Sequence, residues 1–220
     1  MIAVTFALPN ESSDFVRRLT NGRLHGEEVR VLHTGVGERA ATKCLATFFE
    51  KNSPRLLISS GFAGALTDEL RPGDIFIAEN FAAPALLNSY HGGHMGRLQT
   101  IETILDSLGE RSALAHRTGA MAVDMETKFI AQACREAKVP MLSLRAISDS
   151  PSAPFPIPPS MLFDLERQRT RHGPLAFHLL KHPTSVGKLL SFAKQIAIAR
   201  RSLTNALEEA IHACSRSGGL

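Results

Sequence analysis

Val29-Arg30-Val31-Leu32-His33 runs into Thr34-Gly35-Val36-Gly37 and then into a stretch of helical character from Glu38 to Lys51. A β-branched apolar run, a glycine turn and a helix, in that order, form the unit from which α/β sheets are built. Before this unit, Ile2 to Ala7 is a short apolar run that stops at Leu8-Pro9-Asn10. It reads as a buried strand ending in a loop, which puts Glu11 at a strand's carboxyl end. After it, Arg55 to Ser60 supplies a third strand that gives way to Gly61-Phe62-Ala63-Gly64-Ala65, and Gly73 to Glu79 a fourth behind the turn Arg71-Pro72-Gly73-Asp74. Asp124 to Lys138 has Met125, Phe129, Ile130, Ala133, Cys134 and Ala137 at helical spacing. Val139 to Ile147 is a further strand, closed by Ser148-Asp149-Ser150, and Pro140 argues against a central place for it in the sheet.

A chain of 220 residues with 44% hydrophobic content is enough for one substantial core, and one domain over 1–220 is the simplest organisation. From Pro151 to Ser160 five of ten residues are proline, which excludes regular helix and marks 151–182 as a lid-like segment. Residues 183–214 carry Leu189, Leu190, Ala193, Ile196, Ala197, Leu203, Leu207 and Ile211 in an amphipathic pattern and predict a C-terminal helix packed on the sheet. The start, Met1 to Leu8, has no basic flank and is too short to span a bilayer, so it reads as a strand. Three widely spaced cysteines, Cys44, Cys134 and Cys214, suggest buried thiols in a reducing, cytoplasmic setting. The net charge of +4 is scattered without an aromatic-rich basic motif, which argues against a nucleic-acid partner, and the tail's alanines and lack of tryptophan argue against a membrane partner. His91 and His94 form an isolated pair in a glycine loop, and no metal is expected.

Open α/β sheets bind their ligands outside the carboxyl ends of the strands. Glu11, Gly35-Val36-Gly37, Ser59 to Ala65 and Ser148-Asp149 all fall there and are expected to converge on one crevice. Gly35-Val36-Gly37 lacks the third glycine of a dinucleotide fingerprint and the Gly-Lys-Ser/Thr of a P-loop, so nicotinamide and nucleoside-triphosphate chemistry lose support. Taken singly, Asp124-Met125-Glu126 reads as acids at a helix start and Asp149 as a cap or turn residue.

The set His33-Thr34-Gly35-Val36-Gly37, Ser59-Ser60-Gly61-Phe62-Ala63-Gly64-Ala65-Leu66, Arg71-Pro72-Gly73-Asp74-Ile75, Ala122-Val123-Asp124-Met125-Glu126 and Arg145-Ala146-Ile147-Ser148-Asp149 reads differently as a whole. Its order and spacing resemble the purine nucleoside phosphorylase and nucleosidase superfamily, most closely the 5′-methylthioadenosine/S-adenosylhomocysteine nucleosidases. The resemblance runs from Met1 to about Asp149. It implies a three-layer α/β/α fold around a mixed, largely parallel twisted sheet, a homo-oligomer, a small-molecule nucleoside as ligand and no cofactor, with phosphate as a possible co-substrate. By the same resemblance Asp149 protonates N7 of the leaving purine, beside Ser148. Glu126 grips the ribose hydroxyls with Met125 packed on the sugar, and Glu11 activates water. Gly35, Gly61, Phe62 and Ala63 line the ligand. For Asp149 to donate at neutral pH, burial or a neighbouring carboxylate must favour its neutral form.

The chain also departs from that pattern. Phe62 stands where many relatives place a serine, and Pro9-Asn10-Glu11 and Ser59 stand where phosphorylase arginines are expected, leaving Arg39 or His33 as substitutes. The stretch between Asn80 and Gly119 is shorter than in typical nucleosidases, with Gln99 to Leu105 left as the base-side wall. The tail, Pro154-Phe155-Pro156-Ile157-Pro158-Pro159 with Phe163-Asp164 and Arg167-Gln168, resembles the hopanoid-associated phosphorylases that act on adenosylhopane. Hydrolysis, phosphorolysis of an adenosylhopane-type nucleoside, and nucleoside binding without catalysis all stay open at the level of sequence.

Overall fold

The computed structural model describes residues 1–87, 90, 92–103, 105, 107–154, 163–164, 169–170 and 185–216. The Pro-rich lid-like segment, expected at 151–182, therefore lies almost wholly outside the described residues.

The core of the sheet is β1 (Ile2–Phe6), β3 (Glu27–His33), β4 (Leu56–Ala65) and β9 (Met141–Asp149), with β1 parallel to β3 and β4, and β4 parallel to β9. β5 (Ile75–Ala78) runs antiparallel beside β9 and parallel to β6 (His94–Gly96), while β2 (Arg23–Leu24) edges β3. β8 (Ala122–Asp124) joins the far end of β4 and carries β7 (Leu98–Thr100). The sheet is mixed and mostly parallel, as the resemblance implied. β10 (Phe163–Asp164) and β11 (Arg169–Thr170) pair apart from it.

Alternation along the strands gives each face its own layer of helices. Ile2, Val4 and Phe6 point with Leu56, Ile58, Leu142 and Leu144 toward Phe15 of α1 (Pro9–Val16) and toward Ala199, Leu203, Leu207 and Ile211 of α6 (Ser185–Arg216). Ala3, Leu57 and Met141 point the other way, onto Ala41, Leu45 and Phe48 of α2 (Glu38–Phe49) and Ile130, Ala131 and Cys134 of α5 (Thr127–Glu136). A run of apolar residues buried on both faces is what a central parallel strand requires, and each Leu, Ile or Phe so buried contributes about 1.5–3 kcal/mol. No described helix is long and apolar enough to cross a membrane.

Four sequence expectations are corrected. Pro9-Asn10-Glu11 is the first turn of α1, not a loop, because proline at the first helical position loses no bond there. Gly61 to Ala65 does not follow the third strand but continues it as part of β4, since β9 and β8 pair with its small residues and keep them extended. β9 lies centrally, between β4 and β5. Pro140 sits just ahead of it, where the missing N–H costs no ladder bond and the carbonyl accepts the Leu57 N–H at 3.0 Å. Asp124 closes β8 instead of opening a helix. The stretch between Asn80 and Gly119 holds α3 (Pro84–Leu87) and α4 (Leu108–Thr118), the latter opened by a capping box in which Ser107 and Glu110 exchange hydrogen bonds at 3.1 Å.

Candidate active site

Glu11 lies in the first turn of α1 and reaches back to accept the Leu8 N–H at 3.0 Å. This folds its carboxylate inward against Gly61 of β4, whose missing side chain leaves the room: a Cβ there would stand 3.7 Å from both carboxylate oxygens. Glu11 is 9% exposed. Burial pushes its proton affinity up, partly offset by the Leu8 N–H, the charge of Arg145 and the backbone at Ala7 and Phe62.

Glu126 sits between β8 and α5, half-buried, with Oε1 accepting the Gly37 N–H at 2.9 Å. Gly37 can offer that N–H because its φ of 84° is open to glycine at little cost. Burial, then the negative charge of Asp124, raise the Glu126 carboxyl to about 8; the Gly37 N–H and Arg145 pull the other way, and Glu11 adds to the rise. The glycine loop connects the two carboxyl groups: its Gly35 N–H bonds to Ala7, next to the helix of Glu11, and its Gly37 N–H bonds to Glu126. Met125, beside Glu126, is half-buried, as is Phe62, which packs against the core on the α1 side.

Asp149 ends β9. The register between β4 and β9 shifts there, from Ala63 opposite Ile147 to Gly64 opposite Asp149, so Ser148 is the extra residue of a bulge. Its hydroxyl, within reach of the Ala63 carbonyl at 3.2 Å, donates to Asp149 Oδ1 at 2.6 Å. The bulge turns the Asp149 carboxylate over Gly64, where a Cβ would come within 3.2 Å of Oδ2. Asp149 is 1% exposed. Gly61 and Gly64 are three residues apart on one strand, so the Glu11 and Asp149 ends of the site stand on the order of 10 Å apart.

Asp149 has the burial that was expected, but its charged neighbour is a cation. Instead of a neighbouring carboxylate it has Arg111, from α4, whose Nη2 donates directly to Oδ2 and whose Nη1 donates to the Ala65 carbonyl at 2.8 Å. Arg111 is 5% exposed. Sequence reading missed it, although the Ser107-Leu108-Gly109-Glu110 capping pattern and Gly119 as a helix stop signalled the helix that carries it.

A second buried pair lies behind Glu126. Asp124 accepts from Arg145 Nε at 3.1 Å and Nη2 at 2.9 Å, from Thr100 Oγ1 at 2.8 Å, and from both the N–H and the hydroxyl of Thr127. Arg145 also donates to Ser59 Oγ at 2.8 Å and to the Leu144 carbonyl at 3.0 Å. This network clamps the turn Asp124-Met125-Glu126 to β9 and β4 and so positions Glu126. Gln99 to Leu105 is divided: Thr100 serves Asp124, while Ile101 and Leu105 pack with Leu66, Leu114 and Val123.

The glycine loop is occupied. The Gly35 N–H donates to the Ala7 carbonyl at 3.0 Å and the Gly37 N–H to Glu126. His33 Nε2 meets Ser12 Oγ at 2.8 Å, and Arg39 is exposed. Among the described residues no three His, Cys, Asp or Glu side chains gather as a metal site requires.

The family model described as the Phosphorylase superfamily matches residues 7–104 and 94–157, which include Glu11, Glu126 and Asp149. The chain belongs to the phosphorylase superfamily. The two matched pieces overlap over 94–104. A curated superfamily relative, the 5′-methylthioadenosine/S-adenosylhomocysteine nucleosidase of Staphylococcus haemolyticus, is 27% identical over 174 residues, 64% of this chain and 76% of its own. Among solved structures, the nucleosidase of that name from S. pneumoniae, with a transition-state inhibitor, superposes with a TM-score of 0.72 at 19% identity over 97% of this chain and 99% of that one. Futalosine hydrolase of Helicobacter pylori gives 0.67 at 16% identity over 96% of each chain. At these identities the solved structures establish the superfamily fold.

Proposed function

We propose that this chain hydrolyses the N-glycosidic bond of a 5′-substituted adenosine, with water as the nucleophile. The observation that carries the reading is the glycine loop between two carboxyl groups: its Gly35 N–H is bonded to Ala7, next to the helix of Glu11, and its Gly37 N–H to Glu126, so both donors already have partners. Phosphate entering there would have to displace Glu126 from Gly37.

In this reading each group has one task. Glu126, raised to about 8, is largely protonated in the empty site at neutral pH and can both donate to and accept from the ribose diol. Glu11, whose proton affinity burial raises, takes the proton of the attacking water. Asp149 protonates the purine as the C1′–N9 bond breaks, so that a neutral base departs instead of an anion. The nucleosidase named for methylthioadenosine and S-adenosylhomocysteine, matched over three quarters of its length, supports an adenosine with a thioether at the 5′ position as substrate.

The test is incubation of the purified chain with methylthioadenosine, S-adenosylhomocysteine, adenosine and inosine, each with and without phosphate, followed by chromatography of base and sugar. Base release without phosphate, giving free sugar, is the expected result, with Asp149→Asn and Glu11→Gln each reducing it by about 10²–10⁴-fold. Release only with phosphate, giving a sugar 1-phosphate, sinks the hydrolytic reading.

A further inference from the structure

Asp149 has two side-chain partners, and they differ in what they permit. Ser148 Oγ can donate to a carboxylate or turn to accept from a protonated one, whereas the Arg111 guanidinium on Oδ2 can only donate. A carboxyl group that is to protonate a departing base must first hold a proton, and a fixed cation at the same oxygen opposes that. The other charges on the surrounding elements are engaged elsewhere. Arg145 on the same strand is tied to Asp124 at the end of β8. Asp74, beside β5, accepts the Arg71 N–H at 2.8 Å and faces His94 at 3.7 Å. Asp68, after β4, accepts the Ser152 N–H at 3.1 Å. Arg200 of α6, which packs on β9, is tied to Asp14. Glu11 of α1 and Glu126 ahead of α5 lie at the other end of the site. Among the described residues, Arg111 is the cation that touches Asp149.

Building on the hydrolytic reading, we propose that Arg111 is a latch on Asp149: it occupies Oδ2 in the empty site and must leave that oxygen before Asp149 can pass a proton to the base. When C1′–N9 breaks, its electron pair goes to the base and the proton from Asp149 neutralises that charge. Water adds its hydroxyl to C1′ and loses its proton to Glu11. Arg111 is then a positioning residue, acting through Asp149.

The test has a readout that does not need turnover. Infrared spectra at neutral pH are compared for the wild type, Arg111→Met, Arg111→Lys and the double variant Arg111→Met/Asp149→Asn, with circular dichroism to establish that each is folded. The expected result is a neutral-carboxyl band gained in Arg111→Met, absent from the lysine variant and lost in the double variant. In parallel, the alkaline limb of kcat/KM, which reports the free enzyme, moves up for Arg111→Met by about one pH unit or more, as expected when an opposite charge is removed, and Arg111→Lys keeps the wild-type limb. A folded Arg111→Met with no new band overturns the latch. If the band appears but the wild type turns over none of the four nucleosides, the latch stands and the proposed hydrolysis falls.

Discussion

Asp124 with Arg145 and Asp149 with Arg111 are the same two ions, both buried at the ends of strands in one sheet, yet their surroundings differ in kind. Asp124 takes five hydrogen bonds, from Arg145 Nε and Nη2, Thr100 and both donors of Thr127, four of them on Oδ2 and one on Oδ1. Asp149 takes them from Arg111 and Ser148, and acceptor capacity is left over. The first carboxylate is tied by five bonds from three elements and works as a clamp on Glu126. The second, set beside a bulge and over a glycine, has two, one to each oxygen, and can exchange a partner. The number of partners, not burial or charge, separates scaffold from chemistry here.

The sharpest way to break that contrast is to remove each arginine in turn. Arg145→Met leaves Asp124 charged and enclosed and also strips bonds from Ser59, Thr127 and the Leu144 carbonyl, so a loss of about 3–5 kcal/mol in urea unfolding is expected. Arg111→Met leaves a carboxyl group that can take up a proton instead, and the expected loss at neutral pH is about 1–2 kcal/mol. Equal losses would make Arg111 a second clamp and erase the distinction.

A smaller effect sharpens the other end of the site. The carboxyl of Glu126 is raised from its ordinary range to about 8, so the folded chain holds a proton there that the unfolded chain releases earlier. The stability this contributes is present in full below the ordinary glutamate range, and it declines as the pH rises until the folded group has titrated near 8. Glu126→Gln keeps an oxygen for the Gly37 N–H and removes the charge. Its melting temperature should exceed that of the wild type at alkaline pH, by about 1–3 kcal/mol or roughly 2–4 °C per kcal/mol at this chain length, with the gap closing toward pH 4. A gap independent of pH would mean that Glu126 is not held in its neutral form by its neighbours.

The sequence showed the site's residues more clearly than their geometry. Strand–glycine–helix order placed β3 and α2, the motif set contained Glu126 and Asp149, and the resemblance it carried pointed to Glu11. What stayed hidden depended on partners distant in the chain. That Gly61 to Ala65 remains a strand follows from β8 and β9 pairing with it, and local glycine content argued the opposite. Pro140 misled because a proline just outside a strand and one just inside it look alike in sequence. Arg111 was illegible as a site residue because nothing in its helix announces an aspartate 38 positions further on. Its helix, by contrast, was readable from the Ser107 and Glu110 caps.

The finest probe of the contrast is one methyl group. Gly64 faces the Asp149 carboxylate, and a Cβ there would meet Oδ2 at 3.2 Å, Oδ1 at 3.4 Å and Arg111 Nη1 at 3.5 Å, close enough to require a shift of a few tenths of an ångström. β4 is extended at this point, so alanine fits the backbone and the cost falls on the pair itself. Gly64→Ala is expected to lower stability by about 1 kcal/mol, the low end for overpacking. By moving the carboxylate off the position that a purine must meet, it should also lower kcat by about tenfold while leaving KM nearly unchanged. Gly109→Ala, on the helix that carries Arg111 but with nothing within 4 Å of the added methyl, is the control and should change neither kinetic constant. A Gly64→Ala enzyme with unaltered kcat would mean that the carboxylate has slack, and the idea that the bulge at Ser148 aims it would then have to be given up.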